Sequence, residues 1–368
     1  MKYYSFHKST IIQFIQKFIN GDKQVVSEAY TSGELIWDLS SNESYLECLL
    51  ENNIIDICLF LIKREIDNNN NNNNNSKDER IIEISFGILS NIFSISKSLC
   101  IEYHSNQDLV ESILHQIYES KSSTSLSECF RLLHTIVYRK ECVSFWLSIS
   151  LDNDNQLLKR SLYLLDISLF DNLILNLIKY INIISFYSDE ILKKDLIKYE
   201  ITRIITDQLT RNDNYQDKFE CILEIIVNLI DQEWCFNLKL YEAIYTVFQN
   251  YEHNTTILSL VISILSLSLN NDSINLFFKD NYNFKIINEN TTMNNLNDSL
   301  DDILQILEYY LNNSNGGLES NKSEITLFLN DQLIKVKEKK EIEKDNDNDD
   351  QDKEIKIKYL LNKLNDID

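Results

Sequence analysis

The sequence predicts an all-α protein of stacked helices on three grounds: glycine is scarce and proline absent, apolar residues recur at helical spacing almost without interruption, and one helical pattern returns about every 40 residues. In 368 residues there are 5 Gly and 0 Pro. Sandwiches, barrels and doubly wound sheets draw on glycine for hairpins, bulges and phosphate loops. A helical chain does not. With 43% hydrophobic residues the chain has the material for a core, so wholesale disorder is excluded.

The elements follow in order. Ile11, Ile12, Phe14, Ile15, Phe18 and Ile19 line one face of an opening helix. Further helices are expected near 33–50, 54–65, 80–95, 107–119, 124–138, 156–186, 189–210, 216–231, 237–250, 254–269, 296–312, 322–342 and 353–365. Strand-like alternation is scarce, although the isoleucine-rich run 181–186 leaves room for a short strand. Eight consecutive asparagines, 68–75, bury nothing and mark 67–78 as a surface loop inserted between two helices. Stretches 281–298 and 312–321 read as further loops. The domain expectation is a single helical domain over 1–342, then an acidic, largely disordered tail over 343–368 with a short terminal helix at 355–364. The longest uncharged stretch, 254–271, falls short of the about 20 apolar residues that span a bilayer. It reads as a core helix in a soluble protein.

The helices repeat. Setting 85–92 (Ser85 to Ile92) against 129–136 (Cys129 to Ile136) matches apolar residues at most places with an offset of 44 residues. A similar helix recurs near 222–230 and 258–265. These intervals suit helix pairs or triplets of the HEAT and armadillo kind, so the expected fold class is an armadillo/HEAT-like α-solenoid of degenerate helical repeats. A closed helical bundle is the structural alternative.

Charge and motif content bear on function. Lys plus Arg is 35 against 57 Asp plus Glu, a formal charge of -22, which repels nucleic-acid phosphate and an anionic membrane surface. Protein partners are expected, a basic or extended segment first, with no nucleic acid and no membrane. The best basic cluster, Lys335, Lys337, Lys339 and Lys340, is interleaved with Glu338 and Glu341 and reads as the solvated face of a charged helix, with a weak nuclear-localisation patch as the alternative. With so little glycine, no phosphate-cradling loop, dinucleotide fingerprint or nucleophile elbow can be written. Seven cysteines at irregular spacings, with no Cys-x-x-Cys pair, fit a reducing compartment and an intracellular chain. The first 20 residues do not read as a signal peptide. Cys129 and His134 are the nearest thiol and imidazole, but residues five apart on a helix point about 140° from each other. They read as a core cysteine and a boundary histidine. His115 and Glu119 share a face yet make half a metal site at most. Trp37, Trp146 and Trp234 sit in apolar helical spacing and read as packing. No catalytic residue, cofactor or metal is expected.

Three motifs carry a resemblance. Glu34-Leu35-Ile36-Trp37-Asp38-Leu39-Ser40 contains a Trp-Asp-hydrophobic-Ser element, Gly87-Ile88-Leu89-Ser90-Asn91 is close to a Gly-Ile-Leu-Gly-Asn helix, and Ser125 to Leu133 is close to Thr-Leu-x-Glu-x-x-Arg-Leu-Leu. In their order and spacing the first 150 residues, 30–150 most strongly, resemble the serum amyloid A-like protein family. A proline-containing turn of that family is Ser122-Ser123-Thr124 here, and the asparagine tract is an insertion. The resemblance implies armadillo-type helices, no catalytic residues, a nuclear location in animals and a link to cell proliferation. Of the motif residues, Trp37, Asp38, Gly87, Asn91 and Arg131 are candidates for a peptide groove or a structural motif. Gly87 inside a helix costs about 1 kcal/mol relative to Ala, which a close helix approach would offset. Asn91, one turn on, would bond a backbone carbonyl of that neighbour or line the groove. The expected function is a non-catalytic protein-interaction scaffold, promoting cell proliferation from the nucleus as the resemblance implies. The alternatives are a generic cytoplasmic adaptor and an unrecognised Cys/His enzyme.

Overall fold

The computed structural model describes residues 8–19, 26–70, 78–152, 155–211, 216–229, 237–251, 254–269, 300–313, 322–343 and 348–365. Among these residues there are nineteen helices and no strand. They fall into two compact units, Met1–Tyr199 and Glu200–Asp368.

The first unit holds α1 (Lys8–Ile19), α2 (Val26–Ser40), α3 (Glu43–Glu51), α4 (Ile54–Asn70), α5 (Glu79–Ile95), α6 (Lys97–Tyr103), α7 (Gln107–Glu119), α8 (Ser123–Val137), α9 (Lys140–Leu151), α10 (Gln156–Ile167), α11 (Asp171–Tyr187) and α12 (Glu190–Lys198). From α3 to α11 they read as triplets, and two layers form. The last helices of the triplets stack side by side behind α2, in the order α2, α5, α8, α11, and the middle helices stack as α4, α7, α10. Within a triplet the two layers press together, α4 on α5, α7 on α8 and α10 on α11. The core lies between them, with Ile82, Phe86, Leu89 and Phe93 of α5 and Phe130, Leu133 and Val137 of α8 wholly buried.

Without proline, and with few glycines, the helices are bounded by polar side chains. Asn42 caps α3, Asp78 caps α5, Ser96 caps α6, Asn106 caps α7 and Ser122 caps α8, each accepting from a backbone N–H of the first turn. Between the first and second helices of a triplet the backbone turns left-handed at a non-glycine residue: Asn53 (φ 55°) before α4 and Asn155 (φ 59°) before α10. Asparagine tolerates that region better than most L residues.

These caps explain where apolar periodicity alone misplaces boundaries. The helix expected at 33–50 breaks at Ser41–Asn42, because Ser40 and Ser41 turn their hydroxyls back onto the carbonyls of Trp37 and Asp38, both at 2.7 Å. The helix expected at 156–186 breaks at 168–170, where the Ser168 hydroxyl accepts from the Phe170 N–H at 3.1 Å. The one expected at 189–210 breaks at Tyr199, before left-handed Glu200 (φ 62°). Helices α6 and α9 are additional. The run 181–186, where a strand competed, lies inside α11, with Ile181 and Ile184 buried.

The second unit holds α13 (Ile201–Thr210), α14 (Gln216–Leu229), α15 (Leu238–Asn250), α16 (Thr255–Leu267), α17 (Leu300–Asn313), α18 (Lys322–Glu343) and α19 (Asn348–Asn365). Here α13 packs on α15, α14 on α16, α16 on α17, and both α17 and α18 on α19. The stretch expected as a core helix is α16, with Ile257, Val261 and Ile264 buried, and no described helix is long and apolar enough to cross a membrane. Helix α19 covers 18 residues, beginning before the segment expected at 355–364. It buries Ile357, Leu360 and Leu364 and pairs Lys353 with Asp301 and Lys356 with Glu308 of α17. The loop expected at 281–298, Trp234, and residues 314–321 of the loop expected at 312–321 lie outside the described residues, while Asn312 and Asn313 end α17.

The asparagine tract begins within the end of α4, and 71–77 lie outside the described residues. Its flanks are tied: the Asp78 N–H donates to buried Glu65 Oε2 at 3.3 Å, and the Tyr30 hydroxyl donates to Asp78 Oδ2 at 2.7 Å. Deleting residues 72–75 should therefore leave the melting temperature within about 5 °C, since halving a loop changes closure by only about 0.6 kcal/mol. Differential scanning calorimetry of the shortened chain checks this.

Candidate interaction surface on the inner helices

The motif residues converge where α2, α5 and α8 lie side by side. Gly87 faces the indole of Trp37: a Cβ built at 87 would stand 2.2 Å from Cε2 and 2.6 Å from Nε1. Only hydrogen fits there. The same device recurs one helix earlier, where a Cβ at Gly33 of α2 would meet the Phe18 ring of α1 at 2.6 Å. The two described glycines thus let an aromatic ring of the preceding helix lie flush on the backbone of the next.

Polar groups close the same contact. The Asn91 amide donates to the Trp37 carbonyl at 3.0 Å and to the Ser40 hydroxyl at 3.1 Å, while its oxygen accepts from Arg131 Nη1 at 2.8 Å. Arg131 Nη2 donates to the Gly87 carbonyl at 3.0 Å, and its Nε to Glu128 at 2.6 Å. Next door, Arg80 pairs with Glu34 and Glu83, its guanidinium 6.0 Å from the Trp37 ring centre, and Thr124 of α8 donates to Glu83 at 2.9 Å. Burial lifts the Glu128 carboxyl above the usual carboxylate range, against the pull of Arg131. The outcome is a network of mixed charge across three helices in which both ends of the Asn91 amide are engaged by the chain itself.

Asp38, the fifth candidate, lies exposed on the far side of α2. A residue the motifs did not mark continues the pattern: Asn176 of α11 donates to the carbonyl and the hydroxyl of Ser127 on α8, at 3.0 and 3.1 Å, as Asn91 does to α2. Its position could have been found from the repeat, because Asn176 stands 45 residues after Arg131. The offset of 44 itself appears as lateral register, with Arg131 bonded to the residue 44 before it, Gly87, and Thr135 meeting Ser90 at 3.4 Å.

The other candidate chemistry is dispersed. Cys129 is buried, its sulfur 3.8 Å from the Ile113 carbonyl of α7. His134 instead lies beside Tyr138, ring centres 6.1 Å apart, and feels Lys179 of α11. No group of three or more His, Cys, Asp or Glu positioned for a metal occurs among the described residues. Trp146 is fully buried and packs edge-on to Phe145. The inner helices also expose aromatics at their C-terminal ends: Tyr138 after α8 and Phe186 in α11 are 66% and 63% exposed. Tyr187, beside Phe186, is exposed as well.

No protein-family model and no curated protein sequence matches the chain. Solved structures do. A chain from a structure concerning a phosphorylation switch that controls the interaction between cadherin and beta-catenin superposes on 91% of this chain with a TM-score of 0.64 at 12% identity. This chain covers 59% of that chain's length. An engineered protein matches over 97% of this chain and 99% of its own at a TM-score of 0.45 and 9% identity, too loose a likeness to argue from. The first match, with the two-layered stacking of triplets, shows the fold class: all-α, an armadillo/HEAT-like α-solenoid.

Two outcomes follow from this geometry. Gly87→Ala should destabilise despite the better helix propensity of alanine, a gain of about 1 kcal/mol, because overpacking against the indole costs about 1–3 kcal/mol or more. Asn91→Ala should cost about 1–3 kcal/mol by removing the amide that joins the Trp37 carbonyl to the charged Arg131 guanidinium. Chemical denaturation of each variant measures both. Burial, aided by Lys179, pushes His134 down to about 4 from an ordinary 6.5. The folded state then resists protonation while the unfolded state accepts it. The stability present above pH 6.5 is lost as pH falls towards 4, about 1–2 kcal/mol of it by pH 5. A His134→Asn variant should lack that share of the pH dependence when stability is compared at pH 7.5 and pH 5.

Proposed function

We propose that the chain is a non-catalytic protein-interaction scaffold whose inner layer, α2, α5, α8 and α11, docks a basic or extended segment of a protein partner. The observation that carries this reading is the layer itself: adjacent helices in fixed lateral register, with the side chains that set the register engaged by one another and aromatic groups left exposed at the helix ends. Such a layer presents a preformed surface without an ordering cost on binding. The solenoid likeness supports it, since the similar chain comes from a structure about an interaction between two proteins. The dispersal of Cys129 and His134 favours binding over catalysis.

A charge of -22 favours cationic segments over nucleic acid by long-range attraction, which fades beyond a Debye length of about 8 Å at physiological salt. The resemblance of Trp37-Asp38, Gly87 to Asn91 and Ser125 to Leu133 to the serum amyloid A-like family extends the proposal to work in the nucleus in support of cell proliferation. That family's motif holds no catalytic residues, and here Gly87, Asn91 and Arg131 are engaged with one another and with α2.

Titration of the purified chain against lysine- and arginine-rich peptides, acidic peptides, duplex DNA and single-stranded RNA tests the reading. Binding should favour the cationic peptides and weaken as salt rises from low to physiological strength. Tight nucleic-acid binding with no peptide binding would overturn it.

A further inference from the structure

Cys100 of α6 and Cys142 of α9 stand apart from the other described thiols. Helices α6 and α9 open successive triplets, and three contacts align them in one register. At one end Lys97 Nζ meets Glu141 Oε1 at 2.6 Å, and at the other the His104 ring packs edge-on against Phe145 with centres 5.6 Å apart. Between these, Cys100 and Cys142 lie near enough that each thiol perturbs the other's titration. The partners are 44, 41 and 42 residues apart in sequence, the repeat interval again. Arg139, anchored by its Nη2 to the Ser94 carbonyl at 3.1 Å, favours the Cys100 anion. Both cysteines are free and fully covered, on helices whose neighbouring positions Lys97, Ser98 and Glu141 are exposed. The other thiols are placed differently: Cys58 is sealed in the core and Cys129 faces a backbone carbonyl.

We propose that Cys100 and Cys142 are a reversible disulfide site that joins the first helices of two successive repeats when the chain meets a peroxide. Cys142 is the attacking sulfur: Cys100, Arg139 and Lys97 favour its anion, against its burial and the neighbouring Glu141 carboxylate. Its sulfur takes one peroxide oxygen, the O–O bond breaks and hydroxide leaves, protonated to water by the thiol's proton. Cys100 then attacks the sulfenic sulfur, the S–S bond forms, and the hydroxyl departs with the Cys100 proton as a second water. Two thiols are oxidised and one peroxide is reduced to two waters. The new bond closes a loop that holds α7 and α8. Burial raises both thiols, so the reaction is slow at neutral pH and quickens about tenfold per pH unit below the thiol's titration. Access comes through opening of α6, a helix of 7 residues.

The test treats the full native chain with hydrogen peroxide, blocks remaining thiols with N-ethylmaleimide in denaturant, and digests with trypsin without reductant. Cys100 and Cys142 fall on separate tryptic peptides, 98–121 and 141–159, each with a single cysteine. The expected product is these two peptides joined, with the whole chain lighter by two hydrogens and restored by dithiothreitol. Cys142→Ser should leave Cys100 open to the maleimide, and Cys129→Ser should leave the linkage unchanged. Recovery of both peptides alkylated, or of either cysteine joined elsewhere or oxidised singly, would overturn the proposal, and because the mapping uses the unmodified sequence it stands even if a variant misfolds.

Discussion

The first unit depends on how closely the helices of its inner layer approach. Trp37 lies on the bare backbone of Gly87, and that distance lets Asn91 reach the Trp37 carbonyl and Arg131 reach both Asn91 and the Gly87 carbonyl. Apolar burial brings helices together, but it is non-directional and leaves them free to slide. The carbonyl-bound amide and guanidinium remove that freedom, because a shift of one turn would leave part-buried donors and acceptors unpaired. Each inner helix is thus read against the previous one, and Asn176 on Ser127 carries the same rule to α11.

That rule explains why a degenerate repeat still stacks regularly. The side chains differ from triplet to triplet, an asparagine on α5, an arginine on α8 and an asparagine on α11, yet each reaches across to the helix before it. Outer contacts keep a similar interval, with Lys97 to Glu141 and Lys63 to Asp108 spaced 44 and 45 residues apart. On the surface that results the polar groups engage one another, while Tyr138 and Phe186 stand exposed.

Much of this was legible in the residues. The offset between Ser85–Ile92 and Cys129–Ile136 is the lateral pairing of α5 with α8, and a glycine inside an otherwise apolar helix pointed to a close approach, which the Trp37 ring makes. The bond from Asn91 to a neighbouring carbonyl followed from the same reasoning. Less visible were the breaks at 41–42, 168–170 and 199–200. Without proline or glycine, the stops lie in serine hydroxyls and left-handed residues, and the apolar period runs straight through them. Helices α6 and α9 escaped because α6 is too short for a period, and α9 opens directly after α8 with Arg139 as its cap residue and no side-chain cap bond. Asp38, part of the same motif as Trp37, faces solvent instead of the network, since neighbours on a helix point about 100° apart.

Hydrogen–deuterium exchange of the chain carrying Gly87→Ala tests the central claim most directly, because it reads the helices one by one. If the Trp37–Gly87 approach sets the register, exchange should rise together in α2, α5 and α8, with the second unit unchanged. A rise confined to α5, with α2 and α8 as protected as before, would contradict it.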